Sequence, residues 1–200
     1  MTTNEALALL NRAVAREGAP SSDFDLNTHV VLPEGRKLTP AAVLIGVGAG
    51  PLGPELVLTK RSSRLKHHPG QIAFPGGKVD AGDGDAVDAA LREAEEEVGL
   101  PRRGVEVLGT LPAHETVTGF TVTPVLGWIR DAFEPVPEAG EVAEVFRVPL
   151  SHVTDPARFI VESRFWRGQR RYYYTVPWGP YYIWGATARI LRALADRMAP

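Results

Sequence analysis

The run Arg92-Glu93-Ala94-Glu95-Glu96-Glu97-Val98 places four carboxylates and a guanidinium within two turns of a helical pattern. At about 100° per residue, Glu93 and Glu97 share one helix face and Glu96 stands beside them. Like charges so spaced oppose a helix by roughly a few tenths of a kcal/mol per pair, a conflict that a bound divalent cation removes. Hard carboxylate oxygens suit magnesium or manganese, which keep part of their water shell and bridge to phosphate oxygens. Glu93, Glu96 and Glu97 are therefore the candidate metal ligands and catalytic groups. Arg92, four residues before Glu96, is expected to orient a glutamate through a charge-assisted hydrogen bond rather than to touch substrate. Standing alone, an acidic helix face is ordinarily a solvated surface; the flanks of this one point elsewhere.

Upstream, Gly76-Gly77 allows backbone conformations and close approaches that a side chain would block. Asp83 or Asp85 can cap the helix, and Gly99 can end it in a left-handed turn with Pro101 just beyond. Before the glycines comes a basic stretch containing Lys60, Arg61, Arg64, Lys66, His67 and His68. Positive charge beside an acidic metal face suits a polyanion, and backbone N–H groups of a glycine turn add anion contacts. Arg61, Arg64, Lys66, Gly76 and Gly77 are the candidate substrate contacts, while the adjacent histidines receive no role.

The elements that must position these groups can be read from periodicity. Helical spacing covers residues 4–16, with Thr3 placed as cap, then 86–98 and 185–198, the last with a stripe of Ala186, Ile190, Leu191, Leu194 and Met198. β-rich runs cover residues 41–47, 55–60, 105–111, 121–130, 144–148 and 170–176. This order predicts an α+β fold, a mixed β-sheet between helices in an α/β/α sandwich. A single domain over residues 1–200 is expected, with an N-terminal helical extension over about 1–40. The aromatic cluster Tyr172, Tyr173, Tyr174, Trp178, Tyr181, Tyr182 and Trp184 reads as core, with a dimer surface or an acyl-binding wall as the other options. A homodimer stays open. A formal net charge of -2 and the absence of cysteine argue against a nucleic-acid or membrane surface and exclude thiol chemistry. No apolar run reaches signal-peptide or membrane-spanning character, so a cytoplasmic location is expected.

From Arg92 to Leu100 the chain resembles the signature of the Nudix hydrolase family, Arg-Glu-aliphatic-x-Glu-Glu-x-Gly-aliphatic, with Ala94 as a small substitute at the first aliphatic position. It departs at the front, where the loop after Gly77 is one residue longer and Asp83 stands in place of a glutamate. The segment from Val57 to Gly77 resembles the added signature of the coenzyme A pyrophosphatase branch: Arg61, Ser62, Gly70, Phe74, Pro75, Gly76 and Gly77 fall in register. Lys66 stands there for an arginine and keeps the charge without the bidentate fork. Residues 182–188 resemble that branch more loosely. The resemblance implies a Nudix fold and a magnesium- or manganese-dependent diphosphatase that splits coenzyme A into 4'-phosphopantetheine and adenosine 3',5'-bisphosphate. It adds Glu141 and Glu144 to the box glutamates as candidates for the general base. NADH, ADP-ribose or another nucleoside diphosphate derivative is the alternative substrate, and a non-catalytic nucleotide-binding domain is the alternative of another class.

Overall fold

The computed structural model describes residues 1–166 and 168–199. In chain order it opens with α1 (Thr3–Ala15), β1 (Ser21–Ser22), β2 (Thr39–Gly50), β3 (Gly53–Arg61), β4 (Ile72–Ala73) and β5 (Gly76–Lys78). The helix α2 (Ala86–Val98) leads to β6 (Val105–Thr110), β7 (His114–Glu115), β8 (Phe120–Ile129) and β9 (Val142–Pro149). The chain ends with α3 (Leu150–Val153), β10 (Ile160–Trp166), β11 (Gln169–Thr175) and α4 (Gly185–Met198). Among the described residues no helix is long and apolar enough to cross a membrane.

The strand β2 is buried on both faces, because Ala41, Ile45 and Val47 pack into one core and Ala42 and Leu44 into a second. A strand of this kind needs a layer on each side. One layer is α2, whose Ala89, Ala90, Ala94 and Val98 meet Ala42, Leu44, Val57, Val125 and Ile129. The other is built from α1 and α4, through Leu10, Leu191 and Leu194 against Ile45, Leu56, Leu58 and Leu126. The sheet is mixed, since β2 runs parallel to β8 and antiparallel to β3. The fold is α+β, a mixed sheet between helical layers.

The hairpin β2–β3 is closed only near its turn, from Val47–Leu56 to Gly50–Gly53. Beyond that the two strands take other partners: Ala41 to Val43 pair with β5, and Thr59 and Lys60 pair with β4. The segment holding Gly76 and Gly77 is thereby drawn into the split hairpin.

Two expectations change. The first helix is capped by Thr2, not Thr3: the Thr2 hydroxyl accepts from the Glu5 N–H and the Glu5 carboxylate returns to the Thr2 N–H, which moves the start one residue earlier. The aromatic cluster is not plain core. Tyr174, Trp178 and Tyr181 pack against the core, but Tyr172 and Tyr182 are 41% and 42% exposed. The reason is β10, whose pattern gave no strand signal and which, among the described residues, pairs with β11 alone, so the aromatic strand belongs to a separate two-stranded ribbon.

Candidate active site

Local rules set α2 firmly. The Asp85 carboxylate caps it by accepting from the Asp88 N–H, and Gly99 ends it with φ 72°, its N–H reaching the carbonyls of Ala94 and Glu95. The alanine-rich inner face lets the helix lie close on the sheet, and Glu97 at its last turn reaches into the split hairpin, only 4% exposed. There the Gly76 N–H donates to Glu97 Oε2 at 3.1 Å. Gly76 has φ 156°, and a Cβ on it would lie 2.4 Å from the Ala42 carbonyl oxygen; a Cβ on Gly77 would lie 2.3 Å from Glu93 Oε1. The backbone pairing at Gly76 leaves no room for a side chain, and a side chain at Gly77 would displace the Glu93 carboxylate. Gly76 binds Glu97, and Gly77 lies beside Glu93.

Burial pushes the Glu97 carboxyl up to about 7; the Gly76 N–H opposes this, Glu93 and Glu141 add to it, and Arg61 pulls back. Glu93 is also raised, first by burial, against the pull of Arg92. The Glu96 side chain is 59% exposed and held by Arg92 Nη1 at 3.0 Å. The three carboxylates expected to crowd together are therefore divided. Among the described residues no three His, Cys, Asp or Glu side chains form a ready cluster for a metal, because Arg92 draws Glu96 aside while the Gly76 N–H draws Glu97 inward. The donor chemistry nevertheless fits a hard divalent cation: two carboxylates one helical turn apart have their ionised forms disfavoured, chiefly by burial, and a third is held at the surface.

Arg92 is gripped by a residue whose part the sequence left undecided. Asp83, with a side chain 3% exposed, meets the guanidinium side-on, Oδ1 to Nε at 2.8 Å and Oδ2 to Nη2 at 3.0 Å. That bond holds the Asp83 carboxyl down at about 2. The same guanidinium reaches Glu93 Oε1 at 3.0 Å and the Lys78 carbonyl at 3.2 Å. The aspartate in the lengthened loop is therefore the anchor that orients Arg92, and through it Glu93 and Glu96. The signal was present in the sequence as an acid near the expected place.

The basic segment divides as well. Arg61, at the end of β3, acts on Glu97, and its Nε is buried with no hydrogen-bond partner in the structure. Arg64 and Lys66 are exposed on a loop whose base is closed by Arg61 N–H to the Gln71 carbonyl and Gly70 N–H to the Arg61 carbonyl. They are not packed against the carboxylates. Glu141 and Glu144 are separated outright. The loop before β9 is laced to α2 by Val136 N–H to the Val98 carbonyl and Glu138 N–H to the Glu97 carbonyl, and the Ser62 N–H binds the Glu141 carbonyl at 2.7 Å. The Glu141 charge consequently reaches both Glu93 and Glu97. Glu144 instead accepts a short hydrogen bond from the Tyr181 hydroxyl.

Comparison with known proteins bears on the family. The family model described as NUDIX domain matches residues 39–171. The chain is 46% identical over 155 residues to a protein of Citrobacter koseri described as an uncharacterized Nudix hydrolase NudL, covering 78% of this chain and 80% of that one. It is 42% identical over 174 residues to a protein of the same description from Salmonella heidelberg, covering 87% and 90%. A crystal structure of a Nudix hydrolase from M. Smegmatis, RenU, superposes with a TM-score of 0.50 at 27% identity, covering 70% of this chain and 84% of that one. The chain belongs to the Nudix family and is a hydrolase of phosphorus-containing acid anhydrides.

Proposed function

We propose that the substrate is coenzyme A or a close derivative, cleaved at its diphosphate into 4'-phosphopantetheine and adenosine 3',5'-bisphosphate. The observation that carries the chemistry is the buried Glu97 carboxylate, tied to the Gly76 N–H one helical turn from Glu93. Glu93, Glu96 and Glu97 would hold magnesium or manganese, which supplies charge neutralisation on the phosphoryl oxygens and favours ionisation of the attacking water. Glu141 is the base we assign, because its charge reaches the carboxylate pair from outside the helix, whereas Glu144 is bound to Tyr181. A water oxygen adds to one phosphorus, its proton passes to Glu141, and the bridging oxygen leaves with the other phosphate. Arg92, fixed by Asp83, keeps Glu93 in place. Asp83→Ala should lower turnover by roughly tenfold to a hundredfold, as loss of a group that orients a ligand does, with a far smaller effect on the melting temperature; an unchanged turnover number would show that Arg92 holds its position without the anchor.

For the substrate, support comes from Arg61 beside the carboxylates and from the exposed, basic Arg64 and Lys66 on the adjoining loop. A charge-assisted hydrogen bond is worth roughly 1.5 to 3 kcal/mol, or about tenfold to a hundredfold. Coenzyme A should exceed NADH and ADP-ribose by at least about tenfold in catalytic efficiency, and Arg61→Ala and Lys66→Ala should each lower that efficiency. Product analysis with magnesium, comparing coenzyme A with its 3'-dephosphorylated form in the native enzyme and both variants, checks this. An outright preference for NADH or ADP-ribose would overturn the coenzyme A reading and leave the diphosphatase chemistry standing.

A further inference from the structure

A cavity of about 560 Å³ opens beside the end of β3 and is lined by Lys60, Gln71, Glu144, Tyr181, Tyr182 and Trp184 among others. Its size falls in the range of small-molecule sites, roughly 300 to 1,000 Å³. Lys60 and Arg61 are chain neighbours, about 3.8 Å apart at Cα, yet Lys60 lines this cavity while Arg61 acts on Glu97. Successive strand residues point to opposite faces of a sheet, so the cavity opens on the face of β3 turned from the carboxylate pair, and the two meet around the strand end, where the pairing with β9 shifts register between Lys60 and Arg61.

The aromatic walls are held in place. Tyr181 stacks on Phe146 with ring centroids 3.6 Å apart and 7° between planes, and its hydroxyl is bound to Glu144. The Tyr182 hydroxyl donates to Glu162 Oε2 at 2.5 Å. Trp184 packs edge-on to Tyr173 at 5.2 Å, with the Arg164 guanidinium 4.2 Å from the indole centroid. Rings fixed in this way offer stacking surface without an ordering cost on binding. Lys60 and Gln71 line the same cavity with an ammonium and an amide, which a purely aliphatic guest would desolvate without pairing. A flat ring bearing donors and acceptors satisfies both kinds of wall.

We infer that this cavity is the nucleobase subsite of the enzyme, taking the adenine of a nucleotide whose phosphates lie toward Arg61, with Lys60 at the rim between them. The assignment deepens the substrate proposed above and rests on that reading for the position of the phosphates. The test is calorimetric binding to the metal-free protein of two probes, adenosine 3',5'-bisphosphate and 4'-phosphopantetheine, with native enzyme, Trp184→Ala and Tyr182→Ala. Loss of a base stack should weaken adenosine 3',5'-bisphosphate by roughly tenfold to a hundredfold and leave 4'-phosphopantetheine unchanged. Tyr182 is exposed, so its variant serves should Trp184→Ala fail to fold. Failure of the native protein to bind the bisphosphate, unchanged affinity in the variants, or a loss that falls on 4'-phosphopantetheine would each overturn the assignment. Turnover of coenzyme A is read separately: an enzyme that binds the bisphosphate through Tyr182 and Trp184 but leaves coenzyme A intact fails the proposed substrate and keeps the subsite.

Discussion

Replacing Glu97 with glutamine should lower turnover by at least about a hundredfold, since loss of a metal ligand removes several kcal/mol of transition-state stabilisation, while making the metal-free protein more stable at alkaline pH. The second half follows from linkage. The folded-state carboxyl of Glu97 is held at about 7, above its ordinary 4.5. Its contribution to stability is therefore fully present below about pH 4.5 and is lost as pH rises through about 7. A displacement of that size corresponds to a few kcal/mol at most, and a glutamine, which does not ionise, escapes the loss. With a chelator present, melting temperatures of native enzyme and Glu97→Gln should lie close together near pH 5 and separate in favour of the variant near pH 8. Added magnesium should then raise the native melting point more than the variant's. If the variant folds and turns over like the native enzyme, Glu97 is an ordinary acid and the metal assignment fails. If it is inactive yet shows no gain in stability at pH 8, the carboxylate is not held in the environment described.

Leu194→Asp should prevent folding. Leu194 is fully buried on α4 and belongs to the core shared by α1, α4 and the sheet. Removing such a side chain typically costs about 2 to 5 kcal/mol, and placing an unpaired carboxylate there adds a desolvation cost of several kcal/mol more. Against a total stability of about 5 to 15 kcal/mol for an ordinary domain, the two together leave little or nothing. The variant should be recovered unfolded or aggregated, and Leu194→Ala should fold with a midpoint shifted to lower urea. A soluble Leu194→Asp protein with native circular dichroism and an unchanged midpoint would mean that α4 is not docked as described. Because Thr187, on the same helix, donates to the Ile72 carbonyl at 3.0 Å, undocking α4 would also free β4 and the turn that leads to Gly76.

How much of this was legible depends on how far apart the partners stand in the chain. The limits of α2 and α4 followed from residues 86–98 and 185–198 alone, because caps, a left-handed glycine and a helical apolar stripe are decided within a few residues. The box glutamates and the basic stretch were visible for the same reason: their types and spacing state the chemistry before any folding. The division of labour among them was not. Glu96 and Glu97 are neighbours in a run of acids, and only the Gly76 N–H, 21 residues away, and the burial of the last turn of α2 make one a buried group and leave the other on the surface. Glu141 and Glu144 were equal candidates until the loop laced to Glu97 brought the first toward the carboxylates and the strand pleat turned the second toward Tyr181. The aromatic ribbon read as core because apolar rings are usually buried, yet its exposure depends on β10 and β11 forming a ribbon apart from the main sheet. Local periodicity determines the three long helices and the long strands of the main sheet; which face of an element becomes a site is decided by contacts between distant segments, whose burial and electrostatics exist only after the sheet has closed.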